Sequence, residues 1–128
     1  MKLKLKSTIA RKLVLIPSNE VTDFENKEDF GFGFSPAFPE SESNTFMVIF
    51  EAKIKVENTH LLEITYDALF ETDEDVNDKF KESCFPEVNA PAIAFPYMRA
   101  FISTFLLNAG YEPIMLPSIN FSALYNDR

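Results

Sequence analysis

The strongest pattern in the chain is an alternation of apolar and polar residues over two neighbouring stretches. In residues 46–57 and residues 61–71, the even-numbered positions are apolar, whereas every charged residue is at an odd-numbered position. A period of two places these side chains on one face of a strand. The two stretches therefore predict an antiparallel hairpin with one buried face.

Parity constrains the register of this hairpin, because facing residues must lie on the same side of the sheet. A two-residue turn would set apolar positions opposite charged ones. A three-residue loop, 58–60, keeps the even positions together. This loop predicts that Ile54 faces Ile64 and that Lys55 faces Glu63.

Strand signals also occur upstream of the hairpin. Residues 11–25 indicate a strand that is interrupted or ends near Pro17. Further along, Phe30, Phe32 and Phe34 alternate with glycines, so an extended backbone would place the three rings on one face. Glycine weakens such a strand and lets other groups approach its backbone closely.

Two helices are predicted after the hairpin. Val76, Phe80 and Cys84 recur at every fourth position and indicate a short surface helix behind a cap at Thr72 or Asp73. Residues 93–109 are predicted to form the long helix. Pro96 suits its first turn, and Gly110 suits the position just after its end.

The long helix is apolar nearly all round. Its polar residues do not share one face; they are Arg99, Ser103, Thr104 and Asn108. A helix of this kind must be covered on more than one side, and one four-stranded sheet covers only one. The pattern therefore predicts a second subunit, with Tyr97, Phe101 and Phe105 assigned to the interface.

Composition and charge narrow the class of protein. The 128 residues are 46% hydrophobic and 25% charged, which predicts a single domain, 1–128. The net charge of −8 argues against a nucleic-acid partner. We expect no membrane span, because no uninterrupted apolar run reaches about eighteen residues. The apolar stretch 13–16 is too short for a signal peptide, so we expect none. Cys84 is the only cysteine, so no internal disulfide can form, which favours the reducing cytoplasm.

The segment after residue 94 resembles the SecB family of export chaperones. Members of that family carry an F-P-Y-x-R helix start, a glycine and prolines after the helix, and an N-F-x-A-L-[FY] ending. The matching residues here are Phe95, Pro96, Tyr97, Arg99, Gly110, Pro113, Pro117, Asn120, Phe121, Ala123 and Leu124. The order of the predicted elements upstream is also similar to that family.

The resemblance implies an α+β fold in which a long helix packs on a four-stranded antiparallel sheet and a short second helix lies at the C-terminus. It implies a homotetramer, a dimer of dimers with helices between two sheets. Family members usually extend the second helix, add an acidic tail, and contact the motor SecA through that tail and an acidic sheet surface. This chain ends at Arg128, which leaves a SecA contact open.

The resemblance also implies a groove that holds unfolded polypeptide without nucleotide or other cofactor. We assign the following residues to it: Phe30, Phe32, Phe34, Phe38, Phe121, Leu124 and Tyr125. For each ring the alternative is ordinary core packing. Aromatic side chains suit the binding role because they bury much area with few rotatable bonds.

Other chemistry in the sequence is incomplete. Asp73, Asp75 and Asn77 occupy the first ligand positions of a calcium loop, but position six is Asp78 and position twelve is Cys84, so no metal site is predicted. The carboxylates Glu51, Glu63, Asp67 and Glu71 are interpreted as a solvated sheet face. His60 and Cys84 give no recognisable catalytic pair, and Arg99 is expected to have a structural partner.

The sequence therefore predicts an ATP-independent holdase for unfolded precursors, serving protein export. One alternative is a SecB-like chaperone dedicated to a single partner such as an antitoxin. A second alternative is an enzyme or small-molecule binder on the same fold.

Overall fold

The fold is one four-stranded antiparallel sheet with helices on one face. The computed structural model describes residues 1–17, 30–40, 43–114 and 116–127. The strands lie in the order β1-β4-β3-β2, and their bounds are β1 Leu3–Pro17, β2 Phe30–Ala37, β3 Thr45–Val56 and β4 His60–Thr72. The part of the first predicted strand beyond Pro17, 18–25, lies outside the described residues.

The helices follow the sheet in the chain. They are α1 Asp78–Lys81, a π-helical turn Phe85–Asn89, α2 Ala90–Asn108 and α3 Phe121–Asn126. The even positions of β3 and β4 are buried, and α2 covers them with Ala94, Met98, Ile102 and Leu106, each fully buried. This spacing of four forms one helical stripe, so the α+β architecture expected from the sequence is confirmed.

β1 changes phase twice along its length. Its residues that pack on the core are odd-numbered at first, then even, then odd again: Leu3, Leu5, Ala10, Leu13 and Leu15. The pairing with β4 shifts between Leu5 and Ser7 and again between Ala10 and Lys12. Two β-bulges, at Lys6 and Arg11, thus return the apolar side chains to one face. The bulges explain why the alternation in this part of the sequence is irregular.

The hairpin keeps the predicted parity, but its predicted pairs are wrong. Ile54 pairs with Leu62 rather than Ile64, and Glu63 pairs with Lys53 rather than Lys55. The loop is 57–59, because Glu57 and Asn58 both take left-handed backbone conformations, with φ of 52° and 60°. The turn thereby closes one residue earlier than predicted. Each residue of β3 therefore pairs with a residue of β4 two positions earlier in the sequence than predicted.

Two helix predictions also need correction. The short helix begins after Asn77, whose side chain accepts a hydrogen bond from the Phe80 backbone N–H at 2.9 Å, and not after Thr72 or Asp73. It ends before Cys84, which is exposed and lies on no apolar stripe.

The long helix starts at Ala90, so Pro91 occupies its first turn and Pro96 lies inside it. Pro96 has no N–H to donate to the carbonyl of Ala92. Both residues are exposed.

By length and composition, the described residues contain one helical run that could span a membrane, Phe85–Asn108, with a mean hydropathy of 1.3. The sequence expectation concerned an uninterrupted apolar run, and Glu87 and Arg99 interrupt this one. In the fold, its buried stripe packs on the sheet.

Candidate binding groove along strand β2

Strand β2 presents two different faces. Phe30, Phe32 and Phe34 pair with the buried residues of β3, so all three rings lie on the helix side of the sheet, as the period-two pattern predicted. The opposite face carries Gly31 and Gly33, followed by Ser35 and Ala37. The strand is therefore aromatic on one side and nearly bare on the other.

The three rings are only partly buried and form one aromatic cluster. Phe32 lies at its centre, with ring centroids 5.3 Å from Phe95 and 5.9 Å from Phe30. Phe34 meets the ring of Phe121 edge to face, at 5.2 Å. Since Phe121 is the first residue of α3, these contacts hold α3 against β2.

Helix α3 completes a cavity beside these rings. The Asn120 side chain caps α3 by accepting a hydrogen bond from the Ala123 backbone N–H at 3.0 Å. Phe121 is buried, whereas Leu124 on the next turn is 48% exposed. The cavity is about 270 Å³, and its lining residues are Phe32, Gly33, Phe34, Glu87, Leu124 and Tyr125. We call it the Phe34 cavity.

A second cavity lies at the other end of β2 and is called the Phe30 cavity. It has a volume of about 450 Å³ and is bounded by Phe30, Ile54, Lys55, Glu57, Asn58, Glu112, Pro113, Ile114, Leu116 and Pro117. Ser103 on α2 donates a hydrogen bond to the Ile114 carbonyl at 3.0 Å, which fixes the extended segment after the helix. The two cavities flank the same aromatic face.

The structure brings most, but not all, of the assigned groove residues together. Phe30, Phe32, Phe34, Phe121, Leu124 and Tyr125 lie in or beside the two cavities. Phe38 lies apart from them: it stacks on buried Phe46 at 6.0 Å and lies under the ammonium of Lys81 at 5.3 Å. Its surroundings are those of a packed ring at the far end of the sheet.

Sequence reasoning missed the walls of the groove. Glu87 enters through the π-helical turn, and Ile114 and Leu116 enter through the segment after α2. Pro113 and Pro117 were a usable signal for the second wall, because two prolines so close together hold a chain extended.

Helix α2 also presents an apolar face away from the sheet. Ile93, Tyr97 and Leu107 are 41%, 55% and 60% exposed and follow one another at helical spacing, with Ala100 and Thr104 exposed between them. Of the three residues assigned to an interface, only Tyr97 lies on this stripe. Phe101 and Phe105 are half-buried, and Phe101 packs near Tyr66 at 5.7 Å.

The outer face of the sheet carries paired charges. Arg11 contacts nearly buried Asp67 at 2.7 Å, and Lys53 lies 3.8 Å from Glu63. The hydrogen bond and charge of Asp67 raise the pKa of Arg11. The predicted carboxylate face is therefore partly neutralised by basic neighbours.

The remaining candidate residues do not assemble into a reactive site. His60 contacts Thr59 and Tyr111, whereas the thiol of Cys84 lies 3.7 Å from Asn89. Arg99 lies over the ring of Phe95 at 5.9 Å. Among the residues that the structure describes, no group of three His, Cys, Asp or Glu side chains is placed to hold a metal ion.

These features define an α+β protein with a helix-covered antiparallel sheet and an aromatic groove along one edge strand. Residues 37–128 match the family model described as preprotein translocase subunit SecB. An uncharacterized protein of Methanocaldococcus jannaschii is 31% identical over 129 residues, which cover 95% of this chain and 81% of that protein. The chain belongs to the SecB family.

Relatives named protein-export protein SecB match over shorter regions. Those of Anaplasma phagocytophilum and Burkholderia vietnamiensis are each 37% identical, over 51% and 60% of this chain. The matched regions span only 42% and 47% of those proteins.

Solved structures share the fold. A SecB-like chaperone of Mycobacterium tuberculosis, in complex with a peptide from an antitoxin, aligns with a TM-score of 0.63 at 12% identity, over 92% of this chain and 88% of that one. A protein of unknown function from Streptococcus agalactiae aligns with a TM-score of 0.68 at 9% identity, over 92% and 98%.

Proposed function

We propose that this SecB-family protein is an ATP-independent holdase of the cytoplasm that binds non-native polypeptide in the groove along β2. The observation that carries the proposal is the Phe34 cavity, where two partly buried rings lie next to exposed Leu124 and half-buried Tyr125. Apolar surface left open to water favours partners that bring apolar side chains. Unfolded chains expose such side chains, whereas folded chains bury most of their large ones.

The chemistry of the groove suits weakly specific binding. The lining of the Phe34 cavity is mainly apolar, with Glu87 as its charged residue. The lining of the Phe30 cavity is mixed, with Lys55, Glu57 and Glu112 beside its apolar residues. Burial of apolar area contributes about 25 cal/mol per Å² whatever the partner sequence. Many segments with a few large apolar residues would therefore bind.

The assembly belongs to the same proposal. The stripe of Ile93, Tyr97 and Leu107 leaves α2 covered on one side only. We infer that a second copy covers this stripe, in the dimer of dimers that the family resemblance implies. Placing α2 between two sheets would leave the β2 grooves of the subunits open to clients.

A second candidate is a chaperone dedicated to one partner. It is favoured by the outer sheet face, where Arg11 and Lys53 pair with carboxylates that would otherwise present the acidic surface expected for SecA. The M. tuberculosis chaperone of similar fold binds an antitoxin peptide. Export of precursors remains our first proposal, since the named relatives are export proteins.

The groove is tested by a matched pair of variants. Leu124→Ser removes an exposed aliphatic side chain from the Phe34 cavity, and Ile9→Ser removes a comparable one, 61% exposed, on the opposite face of the sheet. We expect Leu124→Ser alone to weaken suppression of aggregation of an unfolded model protein, in buffer without nucleotide. Equal activity of both variants and the parent protein would exclude the Phe34 cavity as the binding surface.

The client range is tested by affinity capture and mass spectrometry, with Leu124→Ser as the reference. Many unrelated precursors enriched over that reference would support export. Enrichment of one small abundant protein would support the dedicated chaperone.

A further inference from the structure

The two edges of the sheet differ in how they are protected against pairing with another strand. β1 carries Lys4, Lys6, Arg11 and Lys12, all exposed, and is broken by two bulges. Charged side chains and bulges are the usual means by which an edge strand avoids adding a further strand. The β1 edge is therefore guarded.

The β2 edge has none of these protections over 30–35. It carries no charged residue, its pairing with β3 runs without a shift through all of Phe30–Ala37, and its first proline is Pro36. Among the described residues, β3 is the only strand paired with β2. The backbone groups on the other side of β2 therefore pair with no other strand in the part of the chain that the structure describes.

Space is also present on both faces beside this edge. On the helix side lie the Phe34 and Phe30 cavities. On the outer side, a depression of about 360 Å³ crosses the sheet from Lys12 on β1 and reaches the β2 edge at Gly31 and Gly33; its polar lining residues are Lys12, Glu51, Lys53, Glu63 and Thr65. A Cβ added at Gly33 would meet no heavy atom within 4 Å.

We propose that β2 binds a client segment as a fifth strand of the sheet, through main-chain hydrogen bonds along its outer edge. Successive side chains of a strand point to opposite faces. The apolar residues of an added strand would enter the two cavities, and the alternate residues would lie over the polar depression. The occupant is therefore an extended segment in which apolar and polar residues alternate. This inference rests on the proposed function and specifies how the client is held.

The backbone geometry of an extended peptide allows a test that distinguishes main-chain hydrogen bonds from side-chain contacts. In a strand, the N–H groups of odd residues point to one edge and those of even residues to the other, in step with the side chains. Methylating one set of amides blocks one edge and leaves every side chain in place.

The probe is a short synthetic peptide that alternates leucine with threonine and ends in lysine for solubility. Two derivatives are made, one N-methylated at the leucine amides and one at the threonine amides. We expect one derivative to bind at least about tenfold more weakly than the parent peptide and the other within about threefold, because only one edge faces β2. Fluorescence polarisation measures each affinity.

A pair of protein variants gives an independent readout. Gly33→Lys adds a charged guard to the β2 edge, and Ser7→Lys adds the same charge to the β1 edge. We expect Gly33→Lys to weaken binding of the parent peptide about tenfold and Ser7→Lys to leave it unchanged. Hydrogen exchange of the β2 amides should slow at alternate residues when the parent peptide is added.

Equal loss of binding by both methylated peptides would overturn the added strand, as would β2 edge amides already protected in the free protein. If Leu124→Ser still reduced chaperone activity in that case, the proposed groove would stand without strand addition. Failure of the parent peptide to bind, together with unchanged activity of Leu124→Ser, would remove both proposals.

Discussion

The ring of Phe34 on β2 meets the ring of Phe121 on α3 edge to face, with centroids 5.2 Å apart and an interplanar angle of 86°. Edge-to-face pairs of this kind add about 0.5–1.5 kcal/mol beyond the area they bury. Because Phe121 begins α3, the contact also fixes where Leu124 and Tyr125 lie. The position of α3 at the groove therefore depends on the contact between Phe121 and Phe34 of β2.

The rings of β2 should differ in what they contribute. Phe32 contacts rings from β3, α2 and α3, whereas Phe30 contacts Phe32 and lies beside the larger cavity. We expect Phe32→Ser to lower the free energy of unfolding by about 3–5 kcal/mol, as for truncation of a core phenylalanine. Phe30→Ser should cost clearly less stability and still weaken client binding. Urea unfolding and aggregation suppression, measured on the same preparations, separate the two effects.

Phe38→Ser is the control for this series, since Phe38 lies away from both cavities. It should lower stability without a specific loss of binding in the folded fraction. If all three serine variants lost stability equally and bound clients normally, the rings would belong to the core and not to the groove.

The exposed stripe of α2 should hold the oligomer together. Leu107→Glu places a charge on a position that is 60% exposed in the single chain, so the subunit fold should survive while association is lost. Light scattering is expected to show a mass well below that of the parent protein, near that of one or two 14.6 kDa chains. Ser118→Glu, with the same added charge on an exposed residue outside the stripe, should keep the mass of the parent protein. An unsubstituted protein that is monomeric, folded and soluble would contradict the prediction.

The nearly buried carboxylate of Asp67 should need the ion pair more than the exposed guanidinium of Arg11 does. Asp67 is 4% exposed and the Arg11 side chain is 56% exposed, so Arg11→Ala leaves a nearly buried carboxylate without its cation. We expect Arg11→Ala to lower the thermal midpoint and Asp67→Asn, added to it, to restore part of the loss. A double variant less stable than Arg11→Ala would show that the pair is not the cause.

The pH dependence of this pair has a definite sign. The contact with Asp67 raises the pKa of Arg11, so its stabilisation is fully present below the unfolded value and is lost as the pH rises through the folded value. Arg11 should therefore stabilise the protein throughout the neutral range.

The hairpin turn offers a stabilising substitution. Glu57 has a positive φ of 52° and is exposed, and asparagine adopts this conformation more readily than glutamate. We expect Glu57→Asn to raise the free energy of unfolding by about 0.5–1 kcal/mol. Thermal unfolding measures the change, and Glu71→Asn, which makes the same exchange inside β4, should not be stabilising.

The same turn marks the limit of what the sequence could predict about the sheet. The apolar pattern alone predicted that even-numbered residues of β3 face even-numbered residues of β4, and the structure has this pairing. The choice between loops 57–59 and 58–60 depended on whether Glu57 would take a left-handed conformation, which its residue type disfavours. Glu63 therefore lies opposite Lys53, two residues before its predicted partner Lys55.

The candidate site was predictable to a similar degree. The period-two phenylalanines predicted that three rings share one face of β2, and the family resemblance assigned these rings, Phe121 and Leu124 to a groove. The contribution of Glu87 depended on a π-helical turn, for which the sequence has no clear signal. Phe38 could not be separated from the other rings, because its place depends on the path of the β2–β3 connection and not on its spacing.

The bulges at Lys6 and Arg11 act like two compensating frameshifts in the first strand. Each one exchanges the inner and outer faces of everything beyond it, and the second exchange undoes the first. Loss of either single residue would restore regular pairing locally and turn several leucines toward water. An ungapped alignment of this strand with a relative that lacked one of the bulges would therefore compare side chains that lie on opposite faces of the sheet.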